Sequence, residues 1–388
     1  MKILQVIPYF VPAWGYGGPI PVCYELSKKL VENGHSVTVC TTDALDNNNR
    51  INVRKERIDG IDVLRFRNIS NHLAWYHNLF IPIEFTDFIK NNLKSYDIVH
   101  LHDYRTPLNV ILHRYATKYG IPYILQPHGT THIILKKHGL KKLFDKKFGY
   151  KIIKKAGAIL ALNETEAKNL ERMGAQKNKI KIVPNGIDVR KFNDLPPKGI
   201  FRKKYSIREN EKLILYVGRI HKSKGIDILI ESFANLLLNL PDSTLVLLGP
   251  DDGYMEEMKN IVNKLKIGKN VIFTGFVNSK IKMAAYADAD VFVTPNFTGF
   301  PITFLEGMFF GLPIITTDKG DKLDWIHNKV GFVAEYDKNQ LKDSMFEILN
   351  DEELKRRFGE EGKRLVREKF GWDKVVLDVE KIYLSVIE

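Results

Sequence analysis

Two cysteines in 388 residues, Cys23 and Cys40, are too few for a disulfide framework. Cys23 sits among apolar residues and Cys40 in the strand-like run Val37 to Thr42, so both read as buried, reduced thiols and neither suggests a redox or metal centre. Long apolar runs are missing too. No stretch approaches the ~20 residues of a membrane-spanning helix, and the opening Met-Lys-Ile-Leu-Gln-Val-Ile-Pro is interrupted too soon for a signal peptide. The cytoplasm is the expected location. No short-period repeat and no low-complexity segment occurs, and 44% hydrophobic with 27% charged residues excludes a disordered or fibrous chain.

What is abundant is positive charge: 59 basic against 46 acidic residues, a formal +13. That balance suits nucleic acid, a phosphate-bearing substrate or an anionic membrane, and only charge speaks for the first.

The length exceeds what one core usually serves, so two domains are expected. Apolar, β-branched segments alternate with amphipathic ones: Ile3–Ile7, Ser36–Thr42, Ile61–Arg67, Asp97–His102, Pro122–Pro127 and Ala158–Leu162. The rhythm restarts at Lys212–Gly218, Thr244–Gly249, Val271–Thr274, Asp290–Pro295, Pro313–Thr316 and Gly331–Ala334. Two doubly wound α/β domains with parallel sheets follow. Breaks at Pro184-Asn185-Gly186 and Leu195-Pro196-Pro197-Lys198-Gly199 mark the connection, where a cleft is expected. The domains are placed at 1–188 and at 189–372, followed by an amphipathic helix at 373–388.

Two segments carry chemistry. In Pro295 through Met308, Pro301 suits a first helical turn and Gly311 with Pro313 an end, which predicts a helix over about Ile302–Phe310. Its unpaired first amides would bind an anion or hydroxyls, and Glu306 could accept from a ribose diol. In Tyr216 through Asp227, Arg219 and Lys224 follow a strand end and suit a diphosphate that gains charge as its bond to a sugar breaks. The plain alternatives are a surface glutamate and solvated loop cations.

Several motifs occur in a specific order: Gly17-Gly18, Gly34-His35-Ser36-Val37-Thr38-Val39, Asp97-Ile98-Val99-His100-Leu101-His102, Pro127-His128-Gly129 and Val183-Pro184-Asn185-Gly186-Ile187-Asp188. Gly218-Arg219 with Lys224-Gly225, Phe273-Thr274-Gly275-Phe276-Val277 and Gly299-Phe300-Pro301 through Glu306 complete the series. In this order the chain resembles the family 4, or "group 1", retaining glycosyltransferases of GT-B fold, in which two Rossmann-like domains face each other across a cleft and the last helix returns to the first. The resemblance implies transfer from a UDP- or GDP-linked sugar to a glycan or lipid-linked acceptor, without a metal or other cofactor. It assigns Arg219 and Lys224 to the diphosphate and Glu306 to the ribose. The base falls to the backbone near Phe276 and Val277, and the sugar hydroxyls or phosphates to the amides of Gly299, Phe300 and Ile302. Gly17 and Gly18 become a loop approaching the phosphates, and His128 a residue beside the sugar.

One position departs from that pattern: Thr298 stands where the family has the first of two glutamates. Altered sugar specificity is the first explanation; a catalytically idle nucleotide-sugar binder is another, and a nucleotide-sugar epimerase of similar fold is the rival enzyme. A dehydrogenase fits poorly, because position 20 is isoleucine and the dinucleotide glycine spacing fails. His100 and His102 share a strand face, but no nearby acids or cysteines complete a metal set. Lys136 to Lys155 holds nine lysines against Asp145, with Leu140, Phe144, Phe148 and Ile152 every fourth position. It reads as a basic amphipathic helix that either lies on an anionic membrane, peripheral on its inner face, or packs on the first domain's core.

Overall fold

The computed structural model describes residues 1–131, 138–192 and 195–388. The chain divides into two units, Met1–Gly186 with Trp372–Glu388, and Ile187–Gly371.

The first unit holds eight strands: β1 (Lys2–Val6), β2 (Ser36–Thr42), β3 (Lys55–Ile58), β4 (Ile61–Phe66), β5 (Ile98–His102), β6 (Tyr123–Gln126), β7 (Ala158–Ala161) and β8 (Ile180–Ile182). They lie in the order β3-β4-β2-β1-β5-β6-β7-β8, parallel except for the antiparallel edge strand β3. Central strands are buried along their length, as helices on both faces require. β3 and β8 are additions to the sequence reading. Lys-Glu-Arg-Ile and Ile-Lys-Ile are short, charged and at edges, where a strand needs little apolar surface.

Local signals explain the helices. Pro107–Tyr119 starts with Thr106 accepting from the Asn109 amide at 3.2 Å, has proline in its first turn and ends at left-handed Gly120. The last helix, Trp372–Ile387, covers the first sheet with Val375, Val376, Val379 and Tyr383. Lys29 pairs with Asp373, and Glu380 accepts from Asn33 at 2.9 Å and contacts His35 at 3.0 Å.

The second unit has β9 (Lys212–Val217), β10 (Ser243–Leu248), β11 (Val271–Gly275), β12 (Val291–Val293), β13 (Ile314–Thr317) and β14 (Gly331–Ala334), all parallel, in the order β11-β10-β9-β12-β13-β14. Its core gathers Ile214, Leu245, Leu247 and Val293 from the sheet and Ile230, Phe233 and Met345 from the helices. Winding proceeds from β9 to β10 and β11 on one side, then returns to β12 on the other. The loops after β9 and β12 therefore diverge from neighbouring strands, which is where open α/β sheets leave a crevice for ligands. In the first unit the same reversal falls between β1 and β5.

The basic segment 136–155 is helical over His138–Phe144, passes through a π-turn at Asp145–Gly149 and continues as Tyr150–Lys155. Lys136 and Lys137 lie outside the described residues. Its apolar stripe is divided: Ile152 and Ile153 are buried, whereas Leu140 and Leu143 are 66% and 61% exposed. The second half is a packing helix and the first presents leucines to solvent. No helix of the described residues is long and apolar enough to cross a membrane.

Candidate functional site

In the second unit, the loops that carry Arg219, Lys224 and Thr298 to Ile302 follow β9 and β12, the strands at the reversal. β9 is followed by Gly218 and Arg219, a short turn Lys222–Lys224, left-handed Gly225 and the helix Ile226–Leu236. The Asn296 amide, on the loop after β12, donates to the Ser223 carbonyl at 2.9 Å and ties the two loops together. Gly249, after β10, packs so tightly that an added Cβ would stand 1.9 Å from the Gly218 carbonyl oxygen.

Arg219 is two-thirds exposed and pairs with Asp252 at 2.6 Å, a surface contact that an incoming anion can replace. Lys224 is half-buried and, among the described residues, has no acidic partner. Burial, and then the Arg219 charge, depress its pKa, so a dianion placed between the two would relieve both penalties.

Glu306 lies on the helix Ile302–Phe309, nearly buried, between Lys282 Nζ at 2.6 Å and the Tyr286 hydroxyl at 2.9 Å, both from the helix Ser279–Asp288. Each carboxylate oxygen thus has one protein partner, which fixes its orientation and leaves a lone pair on each for a ligand. The helix begins at Ile302 with no side-chain cap after extended Pro301, leaving its first amides open.

The rest of this loop is arranged less simply. Gly299 is left-handed, and its amide donates to Asp321 at 2.6 Å, so a ligand using that amide has to displace a carboxylate. Phe300 packs its ring against Trp325 and Phe370, which makes its side chain a wedge holding the loop. Thr298 is exposed on the same loop. Phe276 is 80% exposed at the end of β11, and half-buried Val277 follows, just before Asn278 caps the Lys282 helix. Asp321, Lys282 and Tyr286 escaped the sequence reading because each meets its partner 20 to 24 residues away.

In the first unit, a cavity of about 400 Å³ lies at the β1/β5 reversal, lined among others by Tyr9, Tyr16, Asp103, Arg105 and His128. Gly17 and Gly18 open the helix Pro19–Glu32 beside it. Both are exposed, and a Cβ on either would meet nothing within 4 Å. Asp103, after β5, is buried in left-handed backbone with one carboxylate oxygen unpartnered. Burial raises its pKa to about 6, while a hydrogen bond from Tyr9 opposes the rise. A buried, strained acid at a crevice is a functional-site signal that strand patterning alone did not expose. Arg105 is held by Asp145 at 2.8 Å and by the carbonyls of Thr130 and Thr131.

His128 stands in a left-handed turn fixed by Glu166, which accepts from the Gly129 amide at 2.7 Å and the Leu162 amide at 2.9 Å. His100 and His102 stack 4.3 Å apart, and His102 stacks on His128 at 5.1 Å. Burial depresses the pKa of His100 and His128 to about 3 and that of His102 well below its ordinary value. All three rings are neutral near pH 7.

Comparison with known proteins gives two family matches. "Glycosyl transferases group 1" matches residues 197–365 and "Glycosyltransferase Family 4" residues 16–191. An uncharacterized glycosyltransferase of Methanocaldococcus jannaschii is 27% identical, covering 100% of this chain and 99% of that protein. The N-acetyl-alpha-D-glucosaminyl L-malate synthase of Bacillus anthracis is 26% identical over 96% of this chain and 94% of its own length. Among solved structures, Anabaena HepE in complex with UDP and glucose has a TM-score of 0.76 at 15% identity, covering 99% of this chain and 100% of that one.

Proposed function

Because this chain belongs to the group 1 glycosyl transferases and has their GT-B fold of two Rossmann-like domains, we propose that it transfers a sugar from a uridine-diphosphate donor, with retention and without a metal, to a hydroxyl-bearing acceptor. The observation that carries this reading is the joining of the Arg219–Lys224 loop to the Asn296–Ile302 loop across the sheet reversal, with Glu306 on the helix that follows. It supplies two cations, open amides and a fixed carboxylate, the chemistry a nucleoside diphosphate calls for. The choice of uridine is supported by HepE, whose structures hold UDP and UDP-glucose.

In the proposed reaction the bond from the sugar's anomeric carbon to the β-phosphate oxygen breaks. The acceptor oxygen bonds to the same face, and its proton passes to the departing phosphate oxygen. Arg219 and Lys224 stabilise the charge that grows on that phosphate, where fixed cations act without reorganising. Thr298 brings a hydroxyl and no charge to the sugar, which favours altered sugar selectivity. Asp103 would accept from an acceptor hydroxyl. Leu140 and Leu143 with the adjoining lysines would bring the enzyme onto an anionic membrane carrying a lipid-linked acceptor.

The test is a thermal-shift screen of nucleoside diphosphates, followed by transfer assays with the best donor's sugars. Stabilisation by UDP of about 2.7 kcal/mol at a hundredfold excess over Kd is expected. A response to no nucleotide would overturn the donor assignment. Conversion of the donor to a stereoisomer without acceptor would make the protein an epimerase.

A further inference from the structure

Inside the first unit, hydrogen bonds link five side chains in one line. His128 Nε2 lies 2.8 Å from His102 Nδ1, and His102 Nε2 2.7 Å from Gln5 Oε1. The Gln5 amide nitrogen donates to the Tyr383 hydroxyl at 3.2 Å, and that hydroxyl lies 2.7 Å from His100 Nδ1. At the end, His100 Nε2 and Gln126 Oε1 are buried without a hydrogen-bond partner among the described residues. All but His128 are buried.

Every link needs one donor and one acceptor, so the sense of any link fixes the rest. A carbonyl oxygen only accepts. Gln5 Oε1 therefore takes the proton of His102 Nε2, which leaves His102 Nδ1 bare and obliges His128 to donate from Nε2. His100 Nδ1 then accepts from Tyr383, whose oxygen accepts from the Gln5 amide. Gln5, on β1, sets the sense on both sides, through its carbonyl to His102 and its amide to Tyr383. The reverse sense requires the Gln5 side-chain amide to turn over.

We propose that this line, anchored on the C-terminal helix by Tyr383, holds His128 as the neutral Nε2–H tautomer, so that its bare Nδ1 accepts a ligand hydroxyl at the first unit's cavity. Nδ1 has no partner among the described residues, and His128 lines that cavity. Such a nitrogen selects a hydroxyl and repels an anionic group, and it has no proton to give. That the hydroxyl belongs to a sugar rests on the glycosyl-transfer reading; the tautomer does not. Tyr383 is a positioning residue, acting on His128 through Gln5 and His102.

Histidine-labelled ¹⁵N protein of full length, recorded by long-range ¹H–¹⁵N correlation near pH 7, reads each tautomer directly, and a His128→Asn spectrum assigns the ring. His100, His102 and His128 are all expected as Nε2–H. Tyr383→Phe keeps the aromatic ring and removes the link, so His128 and His102 become tautomer mixtures, and Gln5→Met cuts the line one bond nearer should the first variant melt early. His128 found as Nδ1–H in the wild type, or unchanged in both variants, overturns the proposal. With a UDP-sugar that the wild type turns over, Tyr383→Phe is expected to lower kcat about tenfold and leave KM for the donor unchanged; an unchanged kcat overturns the positioning role. Absence of transfer by the wild type would sink the glycosyl-transfer reading instead, and the spectra decide the tautomer in either event.

Discussion

Lys224 carries a charge that its surroundings resist. Burial and Arg219 both depress its pKa, so its ammonium is best satisfied when an anion arrives. Lys224→Ala is expected to lower kcat/KM by about 10²-fold, with a smaller effect on UDP binding, because the phosphate gains charge only as the sugar leaves. Steady-state kinetics beside nucleotide titration separates the two, and wild-type turnover would remove the lysine from the mechanism. Arg219 and Lys224 were legible in the sequence because they follow a strand end, and Glu306 because Pro301 and Gly311 bracket its short helix. Asp103, Glu166 and Asp321 were not, since their importance lies in burial and in partners distant along the chain.

The buried imidazoles also set a pH dependence. His100 and His128 have folded pKa values of about 3, below the roughly 6.5 of an unfolded histidine. The unfolded chain therefore binds more protons below pH 6.5, and stability is lost as pH falls from there toward 3. Fully buried His100 alone would cost about 2 kcal/mol at pH 5. Asp103, raised to about 6, has the opposite sign: its folded form binds the extra proton between about pH 4 and 6 and offsets part of the loss. With three imidazoles against one carboxyl, the first unit's melting temperature is expected to fall between pH 7.5 and 5. An Asp103→Asn variant should fall further, and calorimetry at the two pH values checks both.

At the scale of elements, alternation of apolar and polar segments disclosed twelve strands. The two that escaped are edges whose side chains face solvent and so carry no pattern. Periodicity also joined 136–155 into one helix, because a π-turn at Asp145–Gly149 changes the register without interrupting the helical composition. The turn brings Asp145 to Arg105 and releases Leu140 and Leu143 to solvent. Replacing both leucines by aspartate should abolish co-sedimentation with phosphatidylserine vesicles and leave UDP binding intact. Equal sedimentation of variant and wild type would assign the leucines elsewhere. The β9 and β10 ends make a sharper demand. Gly249 is left-handed and has no room for a methyl group, so Gly249→Ala should cost about 3 kcal/mol by forcing the Gly218 carbonyl aside. Denaturant titration measures that loss, and an unchanged midpoint would show that the crevice floor yields.

At the scale of the whole molecule, the two restarting βα rhythms disclosed the two units, whereas the last helix was assigned to the first by the family resemblance and not by any pattern of its own, and its buried face lies there. A chain ending at Gly371 keeps every strand of both sheets, yet uncovers the surface where Val375, Val376, Val379 and Tyr383 pack and empties the space left at Gly157, where a Cβ would touch Val386. The second unit, Ile187–Gly371, loses none of its own residues in that truncation. A protein of residues 1–371 is therefore expected to bind UDP while losing transfer, since His128 would lose the Tyr383 anchor and the first sheet its cover. Calorimetric titration with UDP beside a transfer assay distinguishes the outcomes. Loss of nucleotide binding as well would mean that donor recognition depends on an intact first unit, and that the cations at the β9/β12 reversal do not suffice on their own.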